Sequence, residues 1–233
     1  MKNDLFPLVL LAGGLATRLR PLTETIPKSL VEVNGEPFIS HQLKLLHSKG
    51  IREVTICLGY LGEMLSDYVG DGSRFGIKVR YSQDGDVLLG TAGAIKKALP
   101  LLGENFFILY GDSYLPCDYQ ATQHYFTHSK KQALMTVFRN QGQWDKSNVV
   151  FSEGEILTYD KNKQSPDMHY IDYGLGIFNQ QAFQAIPNNE PHDLAVLYQD
   201  LLKQNQLAAF EIKERFYETG SFSGIKELEL YLT

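Results

Sequence analysis

Strand-like and helix-like segments alternate through the first 110 or so residues, and this rhythm constrains the fold more than any other feature of the chain. Short apolar or β-rich runs fall at 8–12, 30–33, 54–58, 77–81 and 106–109. Helical patterns lie between and after them. One covers 37–49, with Ile39, Leu43 and Leu46 on one face and a stop at Lys49-Gly50. Others cover 62–69 and 91–99, the second ended by Pro100. Such alternation predicts βαβ units: an α/β fold, Rossmann-like, with a mixed, mainly parallel sheet and helices on both faces. The pattern changes near residue 115. A helix at 119–128 and a strand at 133–139 are followed by short strands at 148–151, 155–159 and 170–178, with polar turns such as Ser152-Glu153-Gly154 between them. This half reads as more antiparallel. A helix at 194–202, a strand at 207–212 and a helix at 224–232 complete it. The chain is expected to form a single domain, 1–233, with halves 1–115 and 116–233.

Composition excludes several classes. A net charge of −5 gives no electrostatic reason to bind nucleic acid or an anionic membrane, so any phosphate site must be built locally. No apolar run approaches the ~18 residues of a membrane span. Asp4 and Pro7 precede the first apolar run and Gly13-Gly14 ends it, so it reads as a strand and not as a secretion signal. Cys57 and Cys117 read as isolated thiols in a reducing cytoplasm.

Residues 10–30, LLAGGLATRLRPLTETIPKSL, suggest what the strand ends are for. The strand stops at Gly13-Gly14, whose backbone can approach a ligand closely. Thr17, Arg18, Arg20 and Lys28 supply hydroxyl and cationic groups of the kind a polyphosphate needs. A Walker A loop is absent, and Pro21 and Pro27 forbid the helix that a dinucleotide fingerprint would open.

The full string, GG-x(2)-TR-x(2)-P-x(5)-PK-x-L, resembles the opening motif of the sugar-1-phosphate nucleotidylyltransferases, with Ala16 where most members carry Gly. The resemblance runs over nearly the whole chain. It implies that Leu11, Ala12, Gly13 and Gly14 wrap a nucleotide, that Thr17 and Arg18 meet its β- and γ-phosphates, and that Lys28 meets the α-phosphate and the sugar phosphate. The segment 89–95, LGTAGAI, is similar to the family's base-recognition segment. Gly90 and Thr91 are placed there, Thr91 also as a helix N-cap, and Gln83 and Asp84 are read as base-edge contacts. FILYGDS at 107–113 resembles the metal-binding strand end, which makes Gly111 a nucleotide contact and Asp112 a Mg²⁺ ligand at the carboxyl edge of the sheet. Glu218 in YETGS stands where relatives carry the second Asp ligand. Asp160-Lys161 and Asp172 with Gly174 fall at the sugar-phosphate site.

The implied reaction joins an NTP to a sugar 1-phosphate and releases pyrophosphate, with Arg18, Lys28 and Asp112 as catalytic groups. The sugar phosphate is already ionised near neutral pH, its second pKa being about 6, so no general base is needed. Segments LLGTAGA, LYGDSYLP and IDYGLGIF are most similar to short mannose- and heptose-1-phosphate guanylyltransferases. That favours GTP with mannose or D-glycero-D-manno-heptose 1-phosphate, in a cytoplasmic monomer or homodimer. Uridylyl, thymidylyl or cytidylyl transfer is an alternative, as is a non-catalytic nucleotide-sensing protein on the same fold. His124 and His128 read as a solvated helix face, and Tyr110, Tyr114 and Trp144 as core or cleft aromatics.

Overall fold

The computed structural model describes residues 4–14, 17–85 and 87–233. Strand β1 (Leu8–Leu11) ends at the glycine pair. Three single 3₁₀ turns follow, Thr17–Leu19, Leu22–Glu24 and Lys28–Leu30, because the prolines allow no longer helix. The strand expected at 30–33 is shorter, since Leu30 closes the third turn; β2 (Glu32–Val33) and β3 (Glu36–Pro37) make a small hairpin about Asn34-Gly35. In chain order come α1 (Phe38–Lys49), β4 (Glu53–Leu58), α2 (Gly62–Val69), β5 (Lys78–Gln83), α3 (Gly90–Ala98), β6 (Asn105–Tyr110), β7 (Ser113–Tyr114), α4 (Tyr119–Ser129) and β8 (Ala133–Arg139). The rest is β9 (Val149–Ser152), β10 (Glu155–Tyr159), β11 (Tyr170–Asn179), α5 (Leu194–Lys203), β12 (Leu207–Ile212), β13 (Tyr217–Glu218) and α6 (Phe222–Tyr231).

The first-half strands form a parallel block in the order β5-β4-β1-β6, with Leu8 opposite Val54 and Phe107. β11 joins β6 antiparallel, β8 joins β11 antiparallel, and β12 returns parallel to β8. The β9–β10 hairpin hangs from the start of β11. The sheet is thus continuous across both halves of the chain, parallel from its β5 edge to β6 and mixed beyond β6.

Central strands are apolar on both faces because both faces are covered. Along β6, Phe107 and Leu109 point into one core with Leu43 and Leu46 of α1, Leu65 of α2 and Phe126 of α4. Phe106 and Ile108 point into the other, with Ile95 of α3 and Leu194 and Leu201 of α5. Helices therefore cover both faces, as the alternation predicted.

A small ladder outside this sheet matters for the site. β13 pairs with β7, setting Glu218 opposite Ser113 and Tyr217 opposite Tyr114. Leu228 of α6 packs with Val33, Phe38 and Tyr114 in a third apolar cluster, and Tyr231 stacks on Tyr217 at 4.3 Å. The C-terminal helix therefore holds β13 against the turn that follows β6.

Candidate active site

Parallel β1, β4 and β6 all present their carboxyl ends on one edge, the edge where ligands of open α/β sheets bind. Residues 110–113 turn there, and each of their carbonyls accepts a hydrogen bond. The Gln42 amide, on α1, donates to Tyr110 O at 2.9 Å and to Ser113 O at 2.7 Å. The Ser29 hydroxyl donates to Gly111 O at 2.9 Å, and Thr219 N donates to Asp112 O at 2.8 Å. With its backbone held from three elements, the turn has little freedom in where it points Asp112.

Lys28 donates to the Asp112 carboxylate, and both side chains are partly exposed. Glu218 stands beside them. Its carboxylate accepts from Gly220 N and, at 2.6 Å, from the Ser221 hydroxyl. Gly220 marks the junction: a Cβ there would lie 2.8 Å from both Arg18 Nη2 and Lys28 Nζ and would strike Glu218. Arg18, Lys28, Asp112 and Glu218 thus converge, two cations and two carboxylates, although nearly 200 residues separate the first from the last. Such a site can neutralise phosphate and can also offer carboxylate oxygens to a divalent cation.

Next to this cluster is a cavity of about 250 Å³, lined by Leu11, Ala12, Gly13, Gly14, Lys28, Ser29, Cys57, Asp84, Leu88, Gly90, Thr91, Ala94, Tyr110 and Asp112. The close approach of Gly13 is partly to the chain itself, because its Cβ would sit 3.1 Å from Gly59 N, where the loops after β1 and β4 touch. Ala16 and the Thr17 side chain lie outside the described residues. Of the two base-edge candidates, Asp84 borders the cavity, whereas Gln83 is exposed at the end of β5 and does not. Asp84 accepts from Leu89 N at 3.0 Å, and burial raises its carboxyl above the usual range, against the pull of that bond and of Lys97. The Cys57 thiol is pushed up to about 12, first by burial and then by Asp84.

The N-cap reading of Thr91 is corrected. The helix is preceded by Leu89, which makes no side-chain cap, and Thr91 lies within its first turn. Its hydroxyl accepts from Leu194 N at 2.7 Å and reaches Asp193 Oδ1 at 3.3 Å. The N–H groups of Ala92 and Gly93 donate to His192 O, so the segment before α5 satisfies part of this helix start. Gly90 is required there: its φ is +67°, and a Cβ would come 2.7 Å from His192 O.

The second half brings Lys161, Asp172 and Gly174 to the same region. Lys161 Nζ lies 5.8 Å from the Tyr110 ring centroid. Gly174, at φ +97°, occupies the irregular stretch where the β11–β8 register shifts, and its Cβ position is 3.7 Å from Tyr110 Cδ2. Asp172 accepts from Gly174 N at 3.0 Å and from the Tyr159 hydroxyl at 3.4 Å. Burial raises its carboxyl, and Lys161 works against that. The Asp160 carboxylate is committed locally, accepting from Asn162 N and Lys163 N at 2.7 and 2.9 Å.

The sequence profile described as Nucleotidyl transferase matches residues 8–232. The chain belongs to that family. Among its relatives is an N-acetylmuramate alpha-1-phosphate uridylyltransferase of Neisseria meningitidis, 29% identical over 227 residues, covering 95% of this chain and 96% of the relative. A UTP–glucose-1-phosphate uridylyltransferase of Synechocystis is also 29% identical, but the chain spans only 52% of its length. It spans 60% of a Xenopus tropicalis mannose-1-phosphate guanylyltransferase catalytic subunit beta, at 28% identity. Among solved structures, HddC from Yersinia pseudotuberculosis aligns with a TM-score of 0.82 at 22% identity, covering 98% of this chain and 100% of that one. A UDP-glucose pyrophosphorylase from Acinetobacter baumanii aligns at 0.80 with 16% identity, covering 97% and 93%. These two likenesses establish the nucleotide-diphospho-sugar transferase fold.

Within this nucleotidyl transferase, sequence reasoning did not single out Ser29, Gln42 or Thr219, and it named Tyr110 only as a core or cleft aromatic. Ser29 lay one residue from a motif lysine, and that adjacency was the one local signal. Gln42 and Thr219 act on a turn 68 or more residues away, a relation no local pattern encodes.

Proposed function

We propose that this nucleotidyl transferase moves a nucleoside monophosphate from an NTP to a sugar 1-phosphate and releases pyrophosphate. The observation that carries the reading is the convergence of Lys28, Asp112, Arg18 and Glu218 about Gly220, beside a cavity lined in part by the end of β1 and the glycine pair after it. Lys28 meets the α-phosphate and the incoming sugar phosphate, and Arg18 meets the outer phosphates. Repulsion between two anions is the barrier, and fixed cations lower it without reorganising during reaction. Lys161 holds the sugar phosphate from the opposite half.

Asp112 and Glu218 suit Mg²⁺. Mg²⁺ uses one or two carboxylates and takes its other ligands from water and substrate phosphates. Here two carboxylates sit at neighbouring positions of paired segments, and each oxygen retains a lone pair beyond its bonds to Lys28, Gly220 or Ser221. Bound there, the ion would screen phosphate charge.

The preferred pair is GTP with mannose or D-glycero-D-manno-heptose 1-phosphate, supported by the segments LLGTAGA, LYGDSYLP and IDYGLGIF and by the guanylyltransferases among the relatives. The protein acts in the cytoplasm as a monomer or homodimer; no described helix is long and apolar enough to cross a membrane. Pyrophosphate release, measured with Mg²⁺, each NTP and a panel of sugar 1-phosphates, tests this. GTP with one of these sugars is expected to give the highest kcat/KM. Silence across the panel with nucleotide binding retained would replace the reading by a nucleotide-sensing one.

A further inference from the structure

The four charged residues that meet about Gly220 are shared between two cavities. Lys28 and Asp112 line the cavity already described, whereas Arg18 and Glu218 line a second one of about 260 Å³. Gln143, Trp144 and Arg215 also line the second cavity. Arg215 is held ready there. Its guanidinium carbon lies 4.8 Å from the Trp144 ring centroid and 4.9 Å from that of Tyr217, and its Nη2 is paired with Glu227 of α6. Nη1 has no acceptor among the described residues, and the side chain is 30% exposed. A guanidinium fixed between two rings presents its remaining donors with little rotamer freedom left to lose. The Arg18 guanidinium and the Gln143 amide likewise have no acceptor among the described residues. The carboxylates of the same wall each have a donor already. Glu227 is paired with Arg215, Glu218 accepts from Gly220 N and the Ser221 hydroxyl, and Asp145 accepts from Lys146 N at 2.6 Å.

Arg18 and Arg215 against Asp145, Glu218 and Glu227 leave this wall net negative, so it does not attract a bare anion. It suits an anion that arrives with a divalent cation, with Glu218 toward the cation and Arg18, Arg215 and Gln143 toward the anion's oxygens. The proposed reaction makes such an anion. A sugar phosphate oxygen bonds to the α-phosphorus as the bond from that phosphorus to the bridging oxygen of the β-phosphate breaks, and the electron pair leaves with pyrophosphate. Attacking and leaving oxygens lie roughly in line, so pyrophosphate departs away from the incoming sugar phosphate. Lys28, on the sugar-phosphate side, lines the first cavity, and Arg18, on the outer-phosphate side, lines the second. Resting on that reading of the reaction, we propose that the second cavity receives pyrophosphate as its Mg²⁺ complex and that Arg215 and Gln143 hold it together with Arg18.

The test is calorimetric binding of pyrophosphate to the full chain, with Mg²⁺ and then with EDTA, beside GMP and UMP as probes of the first cavity. Pyrophosphate is expected to bind with Mg²⁺ and about tenfold or more weakly without it, because the wall alone repels it. Binding is expected to change the emission of Trp144, the chain's single tryptophan. Arg215→Gln is expected to weaken pyrophosphate binding about tenfold or more, the scale of a lost charge-assisted hydrogen bond, and Gln143→Ala several-fold. Binding of the monophosphates is expected to stay as it was in both. The Gln143 side chain makes no hydrogen bond among the described residues, so its variant carries the test even where Arg215→Gln does not fold. No binding of pyrophosphate, binding as tight in EDTA, binding that neither variant weakens, or binding without a change in Trp144 emission would overturn the inference. Pyrophosphate binding that depends on Arg215 or Gln143, in a protein that turns over no NTP with any sugar 1-phosphate, would keep the inference and remove the proposed reaction. Turnover with pyrophosphate affinity unmoved by both substitutions would do the reverse.

Discussion

Lys28 and Asp112 hold each other before any substrate arrives. Their side chains are 16% and 27% exposed, enough contact with water that breaking the pair leaves no fully buried charge. Removing either is therefore expected to damage chemistry far more than folding. Lys28→Ala and Asp112→Asn are each predicted to lower pyrophosphate release about 10²–10³-fold, the scale of losing one preorganised charge, while the thermal midpoint moves by only a few degrees. Near-wild-type turnover in either variant would remove that residue from the reaction. Both residues were legible in the sequence, Asp112 because it follows the apolar run 106–109 and Lys28 because it sits in a long motif. Tyr110 was legible only as a core or cleft aromatic, and the structure puts it on the cavity wall with its hydroxyl buried and unpaired among the described residues.

At the scale of elements, α1 does more than cover a face of the sheet. Gln42 is fully buried on it and donates to both ends of the Asp112 turn, while its own Oε1 finds no partner among the described residues. An amide retained at that expense is best understood through its two N–H bonds. Gln42→Leu is predicted to strand two carbonyls, cost about 1–3 kcal/mol in denaturant unfolding, and lower kcat about tenfold or more with a smaller change in nucleotide KM. A loss of stability with kcat intact would show that the clamp supports the fold without aiming the carboxylate. The apolar period of α1 announced the helix, yet not that one buried position in it serves a turn at residue 110.

At the scale of the molecule, both cysteines lie inside the protein, Cys57 by the cavity and Cys117 in the core that both halves share. Burial, the leading cause in each case, pushes both thiols up to about 12. A thiol whose folded pKa exceeds its unfolded one contributes stability that is complete below the unfolded pKa and is lost as the pH rises toward 12. Unfolding free energy is predicted to fall steadily above pH about 9, and Cys57→Ala with Cys117→Ala is predicted to flatten that slope, measured by denaturant titration across the alkaline range. The amino-acid sequence by itself determined the strand–helix alternation, the doubly buried parallel core and which polar and charged groups follow β1 and β6. Each of these is written in local periodicity and in which residue follows an apolar run. Tertiary structure alone decided that Gln42 and Thr219 hold the turn that carries Asp112 and that N–H groups at the start of α3 are bonded to His192. Those arrangements rest on contacts between segments 68 or more residues apart. No run of neighbouring side chains carries that information.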